Sequence, residues 1–518
     1  MKKRRKSIVI AIPLCIIGVL AALCGWGYSR LSIQEEKADI DLYSLIPTDC
    51  RAILETKDVN ALCKTIHGAY YVQEQGLPNV SYLLNEFIQH IEALASKQAH
   101  GLSTEMNSQL LVSFHQPGST HDQVIYGRMG EGDMSLITQQ LLQDKGATHA
   151  PKKLMYRGET ITIYTLGREF VACYFKQGFF AISLQEKLIE QVIDALLEGK
   201  SAEKWATLDA LRKQTKHNEQ LSLYYLEEEA WRHFEIRMSA DAIYLTSNQP
   251  PHRASNNEKM EHHIPVERTD GNLLPLSVKV MTQSALPHTL HSTHMESSTK
   301  PNLSQILGEL EVREVTSVLF SPTDTTLAGL LILPLEENKH TALRQALRHP
   351  LRAVQRPSVW RNNQATPIWQ CEVDTTLASL LIQPCTSLGL PAEWWISVSN
   401  SHLLMSTNRE TLKSYIVEKH TNTVQVTGKT NLHIFKQCLA DLAEEADYTL
   451  VANMNYLIKE GDKFTSTWSD EFPMMTTFSA RYPDFFKHFM LSTQYISQGE
   501  ETHTQLILSF HREENLSY

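Results

Sequence analysis

VACYFKQGFFAISLQEKLIEQVI, residues 171–193, reads as strand, turn, strand and helix in direct succession. WWISVSNSHLLMSTNRETLKSYI, residues 394–416, has the same order and aligns with it without a gap at an offset of 223. The polar turns are Lys176-Gln177-Gly178 and Ser399-Asn400-Ser401, and the strands after them run Phe179 to Ile182 and His402 to Met405. Ser183-x-x-Glu186 has the form of a capping box, in which a hydroxyl and a carboxylate satisfy the free N–H groups of a helix start. Thr407-x-x-Glu410 supplies the same pair one position later. Ile189 and Ile193 match Leu412 and Ile416, each pair four apart on one helix face.

The likeness extends outward. A helical stretch Trp205–Leu211 precedes a strand Leu221–Leu226, and a stretch 432–442 precedes Tyr448–Ala452. Upstream, Leu110–Phe114 and Gln123–Tyr126 read as strands before a helix around Leu136–Leu142, with Thr160–Leu166 as the next strand. In the second stretch, Thr316–Phe320 and Leu327–Leu333 precede a helix at Thr341–Leu347, with Trp369–Val373 following. Ala52–Glu55 reads as an entry strand, Asp58 as a cap, Tyr82–Leu94 as an amphipathic helix and Phe489–Tyr495 with Gln505–Phe510 as a closing hairpin.

Hairpins with helices between them predict an α+β class with antiparallel sheets covered by helices. The expected order is a basic head and anchor over 1–30, a first repeat unit over 31–246, a linker or long loop over 247–274, and a second unit with the closing strands over 275–518. The fold class predicted is therefore α+β: an N-terminal transmembrane helix followed by two duplicated antiparallel sheet-plus-helix units.

The anchor rests on Ile8–Tyr28, 21 residues without a charge, directly after five basic residues from Lys2 to Lys6. About 20 apolar residues span a bilayer as a helix, and the cationic flank stays cytoplasmic. A cleaved signal or a lipoprotein ending at Cys24 are the alternatives, but the run exceeds a usual signal core and Leu23 stands where a small residue is wanted. The expected location is the inner membrane, single-pass, with the N-terminus cytoplasmic and the body periplasmic. The bilayer is contacted through Ile8 to Tyr28.

The formal charge of −10 becomes −15 once the basic head is set aside. No basic stripe is present to displace counterions from phosphates, which argues against nucleic acid as a partner. With 42% hydrophobic residues, the body has the composition of a packed fold. Of the six cysteines beyond the anchor, Cys50–Cys63 and Cys371–Cys385 are near enough in sequence to pair, and buried free thiols are the other reading. No Cys-x-x-Cys occurs.

Three pieces, Ile46-Pro-Thr-Asp-Cys50 soon after the anchor, the Phe179-to-Ile193 block, and closing strands with Gln494 and Leu506-Ile-Leu508, resemble an uncharacterised family of single-span envelope proteins from Bacteroidota. The segment 245–305 departs from that pattern. The resemblance implies an inner-membrane anchor and a periplasmic body, and it brings no activity or functional residues with it.

Chemistry is sparse. His288-x-x-His291-x-x-His294 is the best metal-ligand candidate, with His262 and His263 nearby, but Pro287 and the Ser/Thr around it speak against a rigid scaffold. Gly127-Arg-Met-Gly130-Glu-Gly132 lacks the Lys-Ser/Thr ending of a phosphate loop and reads as a strand-to-helix turn held by Asp133. Ser201-x-x-Lys204 and Ser297-x-x-Lys300 lack the companion motifs of penicillin-interacting enzymes. Glu227-Glu228-Glu229 reads as a solvated face, and Trp394-Trp395 as core. No catalytic set or cofactor motif stands out. The function expected is a membrane-anchored binding or scaffold protein contacting protein or lipid cargo. The alternative is a metal-dependent hydrolase using the histidine-rich middle.

Overall fold

Tight turns set the strand registers. Tyr156 pairs with Glu159, so Arg157 and Gly158 form a two-residue loop, with φ of 50° and 88°. Both positive values match the turn whose twist suits a hairpin, and a glycine at the second position relieves the strain there. The structure is a computed structural model that describes residues 40–75, 89, 103–248, 275–282, 314–320, 328–335, 358–372, 393–417, 437–459 and 473–511, short stretches within these ranges excepted. The segment Ile8–Tyr28, most of the 247–274 stretch, nearly all of Tyr82–Leu94, and the stretches 341–347 and 432–436 lie outside the described residues.

The chain divides into two compact units, Met1–Cys63 with Leu83–Ala206, and Lys64–Tyr82 with Thr207–Tyr518. In the first, the strands are β1 (Cys50–Thr56), β2 (Leu110–His115), β3 (Gln123–Arg128), β4 (Lys152–Tyr156), β5 (Glu159–Leu166), β6 (Glu169–Lys176) and β7 (Phe179–Ser183). They pair in the order β1-β2-β3-β7-β6-β5-β4, antiparallel throughout. β2 is buried along its whole length, as suits a strand with a neighbour on each side. The helix Glu186–Glu198 turns Leu188, Ile189, Val192 and Ile193 inward and ends on Gly199 in the left-handed conformation, whose N–H bonds the Ala195 carbonyl.

The second unit holds β8 (Leu221–Glu227), β9 (Ala230–Met238), β10 (Ala242–Ser247), β11 (Pro275–Thr282), β12 (Glu314–Phe320), β13 (Ala328–Pro334), β14 (Ser358–Arg361), β15 (Gln364–Glu372), β16 (Glu393–Val398), β17 (His402–Ser406), β18 (Tyr448–Asn453), β19 (Phe489–Gln498) and β20 (Glu501–Phe510). Its order is β8-β9-β10-β20-β19-β18-β11-β12-β13-β17-β16-β15-β14. The stretch β11-β12-β13-β17-β16-β15-β14 has the pairing order found from β1 to β4 in the first unit. Its core gathers Val318, Leu330, Ile332, Ile368, Leu404, Leu412, Tyr415, Ile416, Val451 and Met490.

The predicted fold class needs correction. Among the described residues antiparallel strand outweighs helix, 48% against 34%, so strand ladders satisfy more of the backbone than helices do. Among the described residues no helix is long and apolar enough to cross a membrane. The longest of these, Glu186–Glu198, has 13 residues, about 20 Å against a hydrocarbon core of about 30 Å. Nor do the two similar stretches form two separate sheets with helices. β10, from the first stretch, pairs along its length with β20, from the second, Ala242 opposite Ser509 and Ser247 opposite Thr504.

The helix starts also differ from expectation. Ser183 makes no capping box: its Oγ donates to the Gln123 carbonyl at 2.7 Å and accepts from the Gln185 N–H at 3.1 Å. Ser406 repeats both bonds, to the Gly329 carbonyl at 2.8 Å and from the Asn408 N–H at 3.1 Å. The cap of the following helix is Asn408, whose Oδ1 accepts from Glu410 and Thr411. A buried carbonyl on the neighbouring strand competes for the hydroxyl and wins it.

Candidate functional site

Residues two apart on a strand share a face, and Ser113 and His115 stand in that relation at the end of β2. Asp49 immediately precedes β1, where Cys50 pairs with His115 beside a register shift. This brings three side chains into line. His115 Nδ1 lies 2.8 Å from Asp49 Oδ1, and His115 Nε2 lies 2.7 Å from Ser113 Oγ. Ser113 Oγ donates to the Tyr126 hydroxyl on β3 at 3.3 Å. A neutral ring facing the carboxylate through Nδ1–H leaves Nε2 to accept. Ser113 has one hydroxyl hydrogen, so at any moment it serves either the imidazole or the phenol. Burial pushes the Tyr126 phenol well above its usual range, the Ser113 bond partly opposing and the nearby Cys50 and Asp49 adding to the rise. The phenol therefore stays protonated.

Hydroxyl, Nε2, Nδ1 and carboxylate follow the connectivity of an acyl-transfer triad. The accessibility is reversed. Ser113 and the His115 side chain are fully buried, whereas the Asp49 side chain is 39% exposed. Solvent thus meets the orienting carboxylate and not the hydroxyl that would attack. Ser113 is also paired on both sides, opposite Ile53 on β1 and Val124 on β3, so the surrounding strand N–H groups belong to ladders. An oxyanion hole needs such donors free and aimed at the reacting atom. The arrangement serves as a polar strut that ties the entry segment to β2 and β3.

Three further polar clusters in this unit are closed by the chain's own groups. Buried Asp122 accepts from the Ser119 N–H at 2.5 Å and from the Gln185 side chain, and its carbonyl takes the His115 N–H at 2.9 Å. Glu55 accepts from Tyr43 at 3.0 Å and Gln109 at 2.7 Å. In the glycine-rich stretch, Asp133 accepts from the Gly130 N–H at 2.7 Å and the Ser103 hydroxyl at 2.5 Å. That carboxylate takes up the Gly130 N–H from within the chain.

His288, His291 and His294, the metal candidates of the sequence, lie outside the described residues, as do Ser201 and Ser297. Among the described residues no group of three or more His, Cys, Asp or Glu side chains is placed to hold a metal ion. Cys50 and Cys63 are buried free thiols, not a disulfide, and the side chains of Cys371 and Cys385 lie outside the description. Trp394 is wholly buried, and the Arg409 guanidinium stands 5.5 Å from the Trp395 ring. Glu227 is not solvated as read: it pairs with Arg232 at 2.8 Å, both side chains largely buried. The spacing Ser113-x-His115 on a strand was the one legible sign of the strut. Asp49, 66 positions away, carried no local sign of its part.

No family model matches the sequence, and comparison with curated proteins and with solved structures gives no match.

Proposed function

We propose that this chain is a membrane-held, extracytoplasmic binding or scaffold protein that contacts protein or lipid cargo and performs no chemistry on it. The observation that carries this reading is the burial of Ser113. The described side chains that come nearest to a catalytic constellation present their nucleophile to the core and their carboxylate to water. The remaining carboxylates of that unit named above are occupied by internal donors. Attachment through Ile8–Tyr28 is part of the proposal, motivated by the uncharged run and its basic flank.

The test is photo-crosslinking in intact cells, followed by isolation of the full chain from membranes and treatment with a fluorophosphonate probe. Recovery of a discrete protein or lipid adduct, with no probe on Ser113, supports a binding role. Stoichiometric labelling of Ser113 in the folded chain overturns it. Protease added to sealed spheroplasts tests placement: a body that stays intact until lysis defeats the extracytoplasmic assignment.

A further inference from the structure

We draw no further inference here: the strongest candidate, the Asp49–His115–Ser113–Tyr126 side-chain cluster at the end of β1, β2 and β3, belongs to the site already described.

Discussion

The ring of Phe180 fills the space that a side chain at Gly127 would need: a Cβ built there would stand 2.4 Å from the ring's Cζ. The two residues pair across β3 and β7, and Phe180 is buried, so the ring has no room to withdraw. Gly127→Ala is expected to destabilise by about 1–3 kcal/mol through overpacking. Gly329 on β13 has nothing within 4 Å of its Cβ position, and Gly329→Ala is expected to stay within about 0.5 kcal/mol of the parent. Urea midpoints of the two variants decide it. Equal losses would rule out the ring as the cause.

Ser183 and Ser406 hold equivalent carbonyls on neighbouring strands. Replacing either by alanine strands a buried carbonyl and an N–H group, at a cost of about 1–3 kcal/mol. Cysteine in place of Ser183 keeps the volume and weakens the donor, so an intermediate loss is expected. Denaturation of the three variants would expose any simple volume effect, since cysteine would then behave as the parent does.

Gln494 grips one residue of a distant loop at both backbone groups. Its Oε1 accepts from the Ala443 N–H at 2.9 Å, its Nε2 donates to the Ala443 carbonyl at 2.9 Å, and Nε2 also reaches Thr449 at 3.1 Å. Gln494→Leu keeps the bulk but leaves both Ala443 groups without that partner. A loss of about 2–3 kcal/mol is expected. Amide hydrogen exchange at Ala443 should accelerate before global unfolding. Unchanged protection there would show that the loop is held by something else.

Stability should fall toward both ends of the pH range. Burial holds the His511 imidazole below its ordinary value, with Asp241 opposing. The folded chain prefers that ring neutral, so its contribution is present above the unfolded value, about 6.5, and is lost as pH falls. Burial pushes the Cys438 thiol up to about 11, partly offset by Ser492. Its contribution is complete below the unfolded value of about 8.5 and is lost as pH rises toward 11. His511→Gln should flatten the acid limb alone. Cys438→Ser should flatten the alkaline limb alone. Iodoacetamide at pH 8 should leave Cys50, Cys63, Cys173 and Cys438 unmodified until urea opens the chain, since all four are buried.

If Asp49–His115–Ser113 is a strut, its members should differ in stability in the order of their burial. His115→Ala leaves the buried Ser113 hydroxyl without its imidazole partner, and about 1–3 kcal/mol should be lost. Asp49→Asn keeps an acceptor at a half-exposed position and should cost less. A catalytic role would instead show as acyl-probe labelling lost in the His115 variant.

Local pattern made single elements legible. Phe179–Ile182, Leu221–Leu226 and Tyr448–Ala452 lie within strands, because apolar runs bounded by polar turns have few other solutions. The helix around Leu136–Leu142 and the turn at Asp133 were readable for the same local reason. What escaped was set by distance. β9 and β10 mix polar and apolar residues and have no clean period of two, and the partner of β10 follows some 260 residues later. The ladder that joins the end of the first stretch to the end of the second had no sign in either strand. The helix-start prediction failed at Ser183 because a carbonyl 60 positions earlier claims the hydroxyl. Asp49 and His115 meet through a register shift near the start of β1, which composition does not encode.

The β10–β20 ladder imposes an order on biosynthesis. Ala242–Ser247 emerges from the ribosome with one flank completed by β9, and its other flank waits for Thr504–Ser509. At ordinary elongation rates that interval is on the order of tens of seconds. A nascent chain therefore carries an unzipped edge through the synthesis of some 260 further residues, and loss of Thr504–Ser509 should yield an aggregating product in place of a shortened native one.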